Sequence, residues 1–212
     1  MNAAEQDPPE ASGRFPQALL ALYLVEFTLL GIRPAFRSVW LAENLPIVLL
    51  VGGIVLLSRR FRFSNTAYAL MAVLVMLHTI GGHYTFERVP FGLVSDLFGF
   101  SRNHFDRVSH FSVGFYAFAI AEYVERRGLS RSRGLTATVA VCAIFTVAAV
   151  YEIVEWAYAA GSDPAAGAAF LGSQGDFWDA QKDMLSDGLG AIAATVLYGA
   201  LRWRRPRPEP GV

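Results

Sequence analysis

The sequence predicts an all-α, polytopic membrane helix bundle with about six transmembrane helices and both termini in the cytoplasm. Of its 212 residues, 54% are hydrophobic and only 17% are charged, and the mean hydropathy is +0.37. Soluble globular domains carry about 25% charged residues, so this composition is typical of a membrane protein. The formal net charge of zero argues against the strongly basic surface on which nucleic-acid binding depends.

Six apolar windows have the length of a membrane span, which is about 20 residues within a range of about 17–25. The second window is interrupted near its start by the sequence ENLP. Polar and aromatic residues predict long loops at 83–107 and 161–182. These features predict one transmembrane domain over residues 15–203, with spans at 16–32, 40–57, 66–82, 108–125, 135–160 and 183–202.

The two ends of the chain are predicted to be flexible tails. Residues 1–14 are polar, acidic and contain Pro, a composition typical of disorder. They lack the basic start of a cleaved signal peptide, so we expect the first apolar window to be retained as an anchor. Residues 204–212 are basic and contain several Pro residues, and we expect them to be flexible as well.

The distribution of basic residues predicts the orientation of the bundle. With an even number of spans, the side that holds both termini carries twelve arginines, whereas the other side carries six basic residues. Because loops rich in Lys and Arg stay in the cytoplasm, both termini are predicted to be cytoplasmic. The loops at 83–107 and 161–182 then lie on the outer face.

This topology brings all four histidines and most of the acids to the outer end of the bundle. The third and fourth spans meet there with the sequences MLHTIGGHYTFER and RNHFDRVSHF, and the fifth ends there with YEIVEWAY. The sixth starts there with four aspartates, which fall within an arc of about 80° if the segment is helical throughout, at about 100° per residue. These aspartates are Asp176, Asp179, Asp183 and Asp187.

The acidic residues near the membrane need compensating positive charge. The outer half carries twelve acids against six basic residues, and a charge at the centre of a membrane helix costs about 2.5–3.5 kcal/mol. Water, protons, histidinium or a divalent cation must make up the difference. Carboxylates with imidazoles suit Zn, Mn or Fe, whereas carboxylates alone suit Mg or Ca. We therefore predict a divalent-metal site, with Zn, Mn or Mg as the candidate ions.

Each polar residue at this end receives a predicted role. The predicted metal ligands are His83, Asp106, His110, Asp179 and Asp183. Glu152 and Glu155, one helical turn apart, are the catalytic candidates, either as a further ligand or as a general base. Residues predicted to support the ligands or to orient a substrate are Arg102, Asn103, His104, Gln174, Asp176 and Asp187.

Simpler interpretations of the same residues remain open. Asp106 and His110 can form an ordinary hydrogen-bonded pair inside the bundle. Glu152 and Glu155 can pair with the arginines at 102 and 107 instead of a metal ion. His78 lies in an apolar stretch and is expected to be packed and hydrogen-bonded rather than a ligand.

Four blocks in order, GGHYTFERVPFG, RNHFDRVSHFSVGF, YEIVEWAYA and FLGSQGDFWDAQKDMLSDGLGA, resemble the YjdF-like family of bacterial inner-membrane proteins. The resemblance extends over residues 15–203 and implies a multi-pass protein of the inner membrane, without implying an activity. A looser resemblance to the VanZ-like proteins is based on Asp106, His110 and the glycine-rich last helix. Two features depart from that pattern: Glu152 and Glu155 replace its Glu-x-x-Gln, and its arginine in the last loop is not evident.

The sequence leaves three functions open. The first is a metal-dependent hydrolase or transferase that acts on a lipid-linked or cell-envelope substrate. The second is a cation or proton transporter, although the polar groups gather at one end instead of crossing the bilayer. The third is a non-catalytic envelope module that binds a lipid head group or a partner protein. The sequence does not decide whether the protein is an enzyme, and it does not predict an oligomeric state.

Overall fold

The computed structural model describes residues 13–203, and within that range all regular structure is helical. This confirms the predicted all-α class. A 3₁₀ turn covers Phe86–Arg88 and a π turn covers Gly199–Trp203. The helices are α1 (Arg14–Leu30), α2 (Arg37–Ser58), α3 (Asn65–Tyr84), α4 (Gly92–Phe98), α5 (Phe105–Val113), α6 (Tyr116–Arg126), α7 (Arg133–Gly161), α8 (Pro164–Leu171) and α9 (Asp179–Tyr198).

The predicted tails lie almost entirely outside the described residues. Residues 1–12 and 204–212 are not covered, so the expected flexibility of both tails stays a prediction. Arg14, which the sequence places at the end of the first tail, is already the first residue of α1.

Four helices are long and apolar enough to cross a membrane: α2, α3, α7, and α9 together with its π turn. The chain is therefore built as a multi-pass membrane protein. The first predicted span corresponds to α1, which has 17 residues. The fourth is divided between α5 and α6 at Gly114 and Phe115.

Two expectations about local structure are corrected. The second span is not interrupted by ENLP, because α2 runs without a break through Pro46. Proline removes one backbone donor, which a membrane helix tolerates where its surroundings satisfy the freed groups. The predicted loops at 83–107 and 161–182 contain the short helices α4 and α8. An apolar run that is too short to cross a membrane can still form a helix of this length.

Side-chain caps fix where several helices begin. The hydroxyl of Ser64 accepts a hydrogen bond from the Ala67 N–H at the start of α3, and Ser132 does the same for Leu135 in α7. The carboxylate of Asp163 caps α8. Each cap satisfies a backbone N–H that has no partner within its helix.

A buried carboxylate between α6 and the start of α3 is fully paired. Glu122 on α6 is completely buried, and it accepts hydrogen bonds from the N–H and hydroxyl of Ser64 at 2.9 and 2.8 Å. The Arg126 guanidinium lies 2.9 Å from its Oε1 atom. This group thus joins α6 to the start of α3, and its charge is compensated within the fold.

The bundle is organised around α9, which packs against α5, α6 and α7. Its crossing with α5 brings the two backbones into contact at Gly114 and Gly190. A Cβ on Gly190 would overlap the carbonyl oxygen of Phe111, and a Cβ on Gly114 would overlap the backbone around Gly190 and Ala191. Small residues are what permit such close approach between membrane helices.

We predict that Gly190→Ala destabilises the protein by about 1–3 kcal/mol, because the added methyl group must push α5 away from α9. The measurement is the thermal or denaturant unfolding midpoint of the purified protein in detergent. The matched control is Gly53→Ala in α2, where a Cβ meets nothing within 4 Å. Equal unfolding midpoints for the two variants would contradict the backbone contact.

Candidate functional site

Two arginines hold the start of α9 against the start of α5; we name this group the arginine clamp. The Arg102 Nη1 atom lies 3.0 Å from Asp179 Oδ1 and 3.3 Å from Asp176 Oδ2. Arg107 forms ion pairs with both Asp179 and Asp183. All five side chains of the clamp are at most 18% exposed, so these pairs are less screened by water than surface pairs.

The helical repeat of α9 explains which aspartates face α5. Asp179, Asp183 and Asp187 are spaced four residues apart, so they form one stripe on the helix. All three are buried, and the clamp and the glycine crossing turn the stripe towards α5. Asp179 also lies in the first turn of α9, where a negative charge is favoured by the helix dipole.

Asp176 precedes α9, so the expectation that all four aspartates share one helix is wrong for this residue. The chain turns before Trp178, which is the N-cap of α9. The Lys182 ammonium, and next the Trp178 backbone N–H, hold the pKa of the Asp176 carboxyl below its usual range. Because folding lowers this pKa, the stabilisation from this group is present above the usual aspartate range. It is lost as the pH falls through the lowered value.

Next to the clamp, the His110 imidazole lies among three carboxylates. Its Nε2 atom is 3.6 Å from Asp106 Oδ1 and 3.8 Å from Asp183 Oδ1. Its Nδ1 atom is 3.3 Å from Asp187 Oδ2. Donor atoms of Asp106, His110 and Asp183 all lie within 4.8 Å of one another, so they could hold a metal ion. We call these three residues the ligand trio.

The spacing within the trio differs from that of direct hydrogen bonds. Separations of 3.6 and 3.8 Å are too long for hydrogen bonds. They are close to the spacing of two donors on one ion, since metal–ligand distances are about 2.0–2.2 Å. Metal-bound histidines also commonly direct their second nitrogen at a carboxylate, which here is Asp187.

A second polar group lies between α2, α3 and α7. The carboxylate of Glu43 is 3.0 Å from His78 Nε2 and accepts a 2.9 Å hydrogen bond from the Tyr151 hydroxyl. Glu43 is 1% exposed and His78 is 7% exposed, so the interpretation of His78 as a packed, hydrogen-bonded residue is confirmed. Glu155 lies one turn after Tyr151, on the same face of α7.

A cavity of about 230 Å³ connects the two polar groups. His78, Tyr151 and Glu155 line it on one side, and Asp106 and Asp187 line it on the other. Within residues 13–203, the buried Oδ1 atom of Asp187 has no hydrogen-bond partner. A buried hydrogen-bond acceptor without a partner costs free energy. Asp187, which carries this acceptor, lines the cavity.

His83 and His104 lie apart from the ligand trio. The Nδ1 atom of His83 is 2.6 Å from the carbonyl oxygen of Leu30. The His83 ring therefore joins the end of α3 to the end of α1 and does not reach the trio. His104 precedes the first residue of α5. Burial, followed by the charges of Arg102 and Arg107, lowers the pKa of His104, so its ring is neutral at neutral pH.

Asn103 and Gln174 join the segment before α5 to the segment before α9. The Asn103 N–H donates to Gln174 Oε1 at 3.0 Å, and Gln174 Nε2 donates to the Asn103 carbonyl at 2.9 Å. Asn103 also donates to the carbonyl oxygens of Glu87 and Val89. These bonds place the two amides in the scaffold around the site, where the sequence suggested contact with a substrate.

Glu152 and Glu155 on α7 lie near the cavity and have no arginine partner among the described residues. Within the described part of the chain, Arg102 and Arg107 form their ion pairs with the aspartates of the clamp. The alternative in which these arginines neutralise the two glutamates is therefore wrong. Glu155 lines the cavity, and the buried Oε1 atom of Glu152 has no partner among the described residues.

Sequence reasoning missed the roles of Arg107, Glu43 and Tyr151. Arg107 lies one turn before His110, so the same helical face could have indicated that both side chains meet α9. Glu43 lies inside an apolar window, and a mid-span acid needs a buried partner. Nothing in the sequence identifies Tyr151 as that partner, because the contact joins residues 108 positions apart.

Comparison with known proteins agrees with this membrane architecture. Residues 15–204 match a family described as a predicted membrane protein, DUF2238. The chain belongs to the DUF2238 family. The inner membrane protein YjdF of Escherichia coli strain K12 is 32% identical to the DUF2238 chain over 183 residues, which cover 84% of this chain and 85% of that protein. No solved structure matches the chain.

These matches confirm the YjdF-like resemblance, since the blocks that carry it lie within the matched part of the DUF2238 chain. The looser resemblance to VanZ-like proteins stays a prediction. The family description states a membrane protein and no activity, so an activity for the DUF2238 protein must be argued from the site itself.

We predict that Arg107→Gln destabilises the DUF2238 protein by about 3–5 kcal/mol, because it leaves buried carboxylates without their shared cation. The readout is the free energy of unfolding in detergent. Arg88→Gln is the matched control, since Arg88 is 56% exposed and pairs only with Glu87 among the described residues. Such a surface pair contributes about 0–1 kcal/mol. If both variants unfold alike, the arginine clamp does not hold α5 against α9.

Proposed function

We propose that this DUF2238 protein is a six-span protein of the bacterial inner membrane that binds one divalent cation at its outer face, through Asp106, His110 and Asp183. The observation that carries this proposal is the ligand trio, whose donor atoms lie within 4.8 Å of one another. The contact between His110 Nδ1 and Asp187 supports it, because it orients the ring with Nε2 towards the two other carboxylates.

The charge balance of the site matches one divalent ion. Three permanent cations, Arg102, Arg107 and Lys182, contact or flank five carboxylates. Two negative charges are left uncompensated when His110 is neutral, as a metal ligand must be. A site with both imidazole and carboxylate donors favours Zn or Mn over Mg. The carboxylates are Asp106, Asp176, Asp179, Asp183 and Asp187.

Six spans are the topology that best accommodates the helices. We count α1 as a span because its 17 residues reach the lower limit of about 17. We also count α5 and α6 as one span, since together they cover residues 105–126 and pack against α9 along its length. Six spans place both termini on the arginine-rich side, which the positive-inside rule assigns to the cytoplasm.

The contrast between the two ends of the bundle favours a bound site over a transport pathway. The inner carboxylate of Glu122 has its full set of partners within the fold. At the outer end, Asp187 retains a buried oxygen without a partner among residues 13–203. A proton or cation pathway would need unsatisfied ionisable groups at several depths.

Metal-assisted hydrolysis or group transfer on a lipid-linked or envelope substrate is the reaction that this arrangement supports. A divalent ion supplies Lewis acidity and lowers the pKa of a bound water molecule. Glu155 lines the adjoining cavity and is the better placed of the two glutamates to accept a proton there. The arginine clamp keeps Asp183 in position and remains outside the reaction.

We expect the purified protein to contain about one equivalent of Zn or Mn, and we expect His110→Ala and Asp183→Asn to lose it, because three donors are few for tight binding. Elemental analysis of protein purified in detergent without chelators measures this. The control is Glu87→Gln, whose 26% exposed carboxylate pairs with Arg88. A wild-type protein that is metal-free and stays so after dialysis against Zn or Mn would overturn the proposal.

We predict that the first turn of α8 lies outside the cytoplasm. In a variant whose single cysteine, Cys142, is replaced by Ala, a cysteine at Ala165 should react with a membrane-impermeant maleimide in intact spheroplasts. A cysteine at Leu129, which is 67% exposed, should react only after lysis. The reverse pattern would place the site on the cytoplasmic side.

A further inference from the structure

The cavity beside the ligand trio has a polar end and an apolar end. Asp106, Glu155 and Asp187 contribute carboxylates to one end. Aliphatic side chains from the membrane interior, among them Ile47 and Leu74, line the other. Its volume of about 230 Å³ is below the range of about 300–1,000 Å³ that encloses a whole drug-sized ligand. A cavity of this kind suits one end of a longer amphiphile.

The polar end carries three carboxylates and two imidazoles, those of His78 and His110. Among the residues that the structure describes, none of those lining the cavity is Lys or Arg. The two arginines of the clamp face the α9 aspartates instead. Asp187 Oδ1 remains buried without a partner even if the trio holds an ion, because Asp187 meets His110 through its other oxygen. A group that donates hydrogen bonds and carries positive charge would satisfy this oxygen.

The apolar end reaches the membrane-facing surface of the bundle between α2 and α7. Val147 on α7 lines the cavity and is 55% exposed, so this residue borders both the cavity and the outside of the bundle. The hydrogen bond from Tyr151 to Glu43 connects α2 with α7 at the polar end. Pro46 and Ile47 on α2 also line the cavity. An alkyl chain that leaves the cavity here would continue directly into the lipid.

We propose that this cavity binds the amine end of a single-chain cationic amphiphile, which enters from the bilayer between α2 and α7. The ammonium group contacts Asp187 and Glu155, and the first carbons of the chain pack against Ile47 and Val147. An anionic head group, such as a phosphate, is repelled by the same carboxylates. The role of this amphiphile as a substrate rests on the proposed function. Its binding in the cavity does not require the metal ion.

Equilibrium binding of radiolabelled dodecylamine to the protein in phosphatidylcholine nanodiscs tests this inference, with empty nanodiscs as the blank. Dodecanol and dodecyl phosphate serve as neutral and anionic probes of equal chain length. We expect saturable one-to-one binding of dodecylamine, at least tenfold tighter than that of either other probe. Similar binding of all three probes, or no binding above the blank, would overturn the inference.

Two variants probe the two ends of the cavity separately. Glu155→Gln should weaken dodecylamine binding at least tenfold by removing a charge. Ala148→Phe should weaken it by filling the apolar end, since Ala148 lines the cavity and is 3% exposed. Glu87→Gln, which removes a carboxylate outside the cavity, should bind as wild type does. Unchanged binding in both cavity variants, with the fold verified by circular dichroism, would contradict the assignment.

The same titration with EDTA-treated protein separates this inference from the proposed metal site. Dodecylamine binding that persists in protein shown to be metal-free supports the cavity as an amine site, even if elemental analysis rejects the metal. Metal bound at the trio without selective dodecylamine binding supports the proposed function and overturns the inference.

Discussion

The close crossing of α5 and α9 is the constraint on which the rest of the site depends. Gly114 and Gly190 let the two backbones touch, and neither position has room for a Cβ. The residues one and two turns before this crossing are therefore brought face to face. His110 meets Asp187, and Arg107 meets Asp183. A looser crossing would separate these groups by about the width of a side chain and leave each charge buried without compensation.

Buried acids at the two ends of the bundle differ in how completely the fold satisfies their carboxylate oxygens. Glu122 is completely buried and has a partner for each oxygen. It holds α6 against the start of α3, as a well-satisfied ion pair can. The acids around the cavity are incompletely satisfied, and Asp187 is a clear case among the described residues. Burying a carboxylate oxygen without a partner costs free energy, and a bound donor would remove that cost.

Arginine and metal ion need not compete for the same carboxylates. The clamp takes the aspartates nearest the start of α9, whereas the trio lies one turn deeper and shares only Asp183 with it. Asp183 Oδ1 pairs with Arg107 and is also the oxygen that lies 3.8 Å from His110 Nε2, so an ion at the trio would need the second oxygen of this carboxylate. The clamp thereby positions Asp183 and joins the segment before α5 to the start of α9. The cavity extends from this point towards α2 and α7 and supplies the space that a substrate would need.

The sequence by itself determined the class of the protein and the end of the bundle where most of its His, Asp and Glu residues gather. Apolar windows of span length and the positions of His and acidic residues are local properties, so they can be counted without a structure. The helical repeat likewise placed Asp179, Asp183 and Asp187 on one face. Which of these groups meet was decided only by the tertiary structure. The separation of His83 from the trio, the pairing of both arginines with α9 and the contact of Tyr151 with Glu43 all depend on how distant helices cross. That crossing is set by backbone contact at glycines, and sequence spacing carries no information about which pairs of glycines touch.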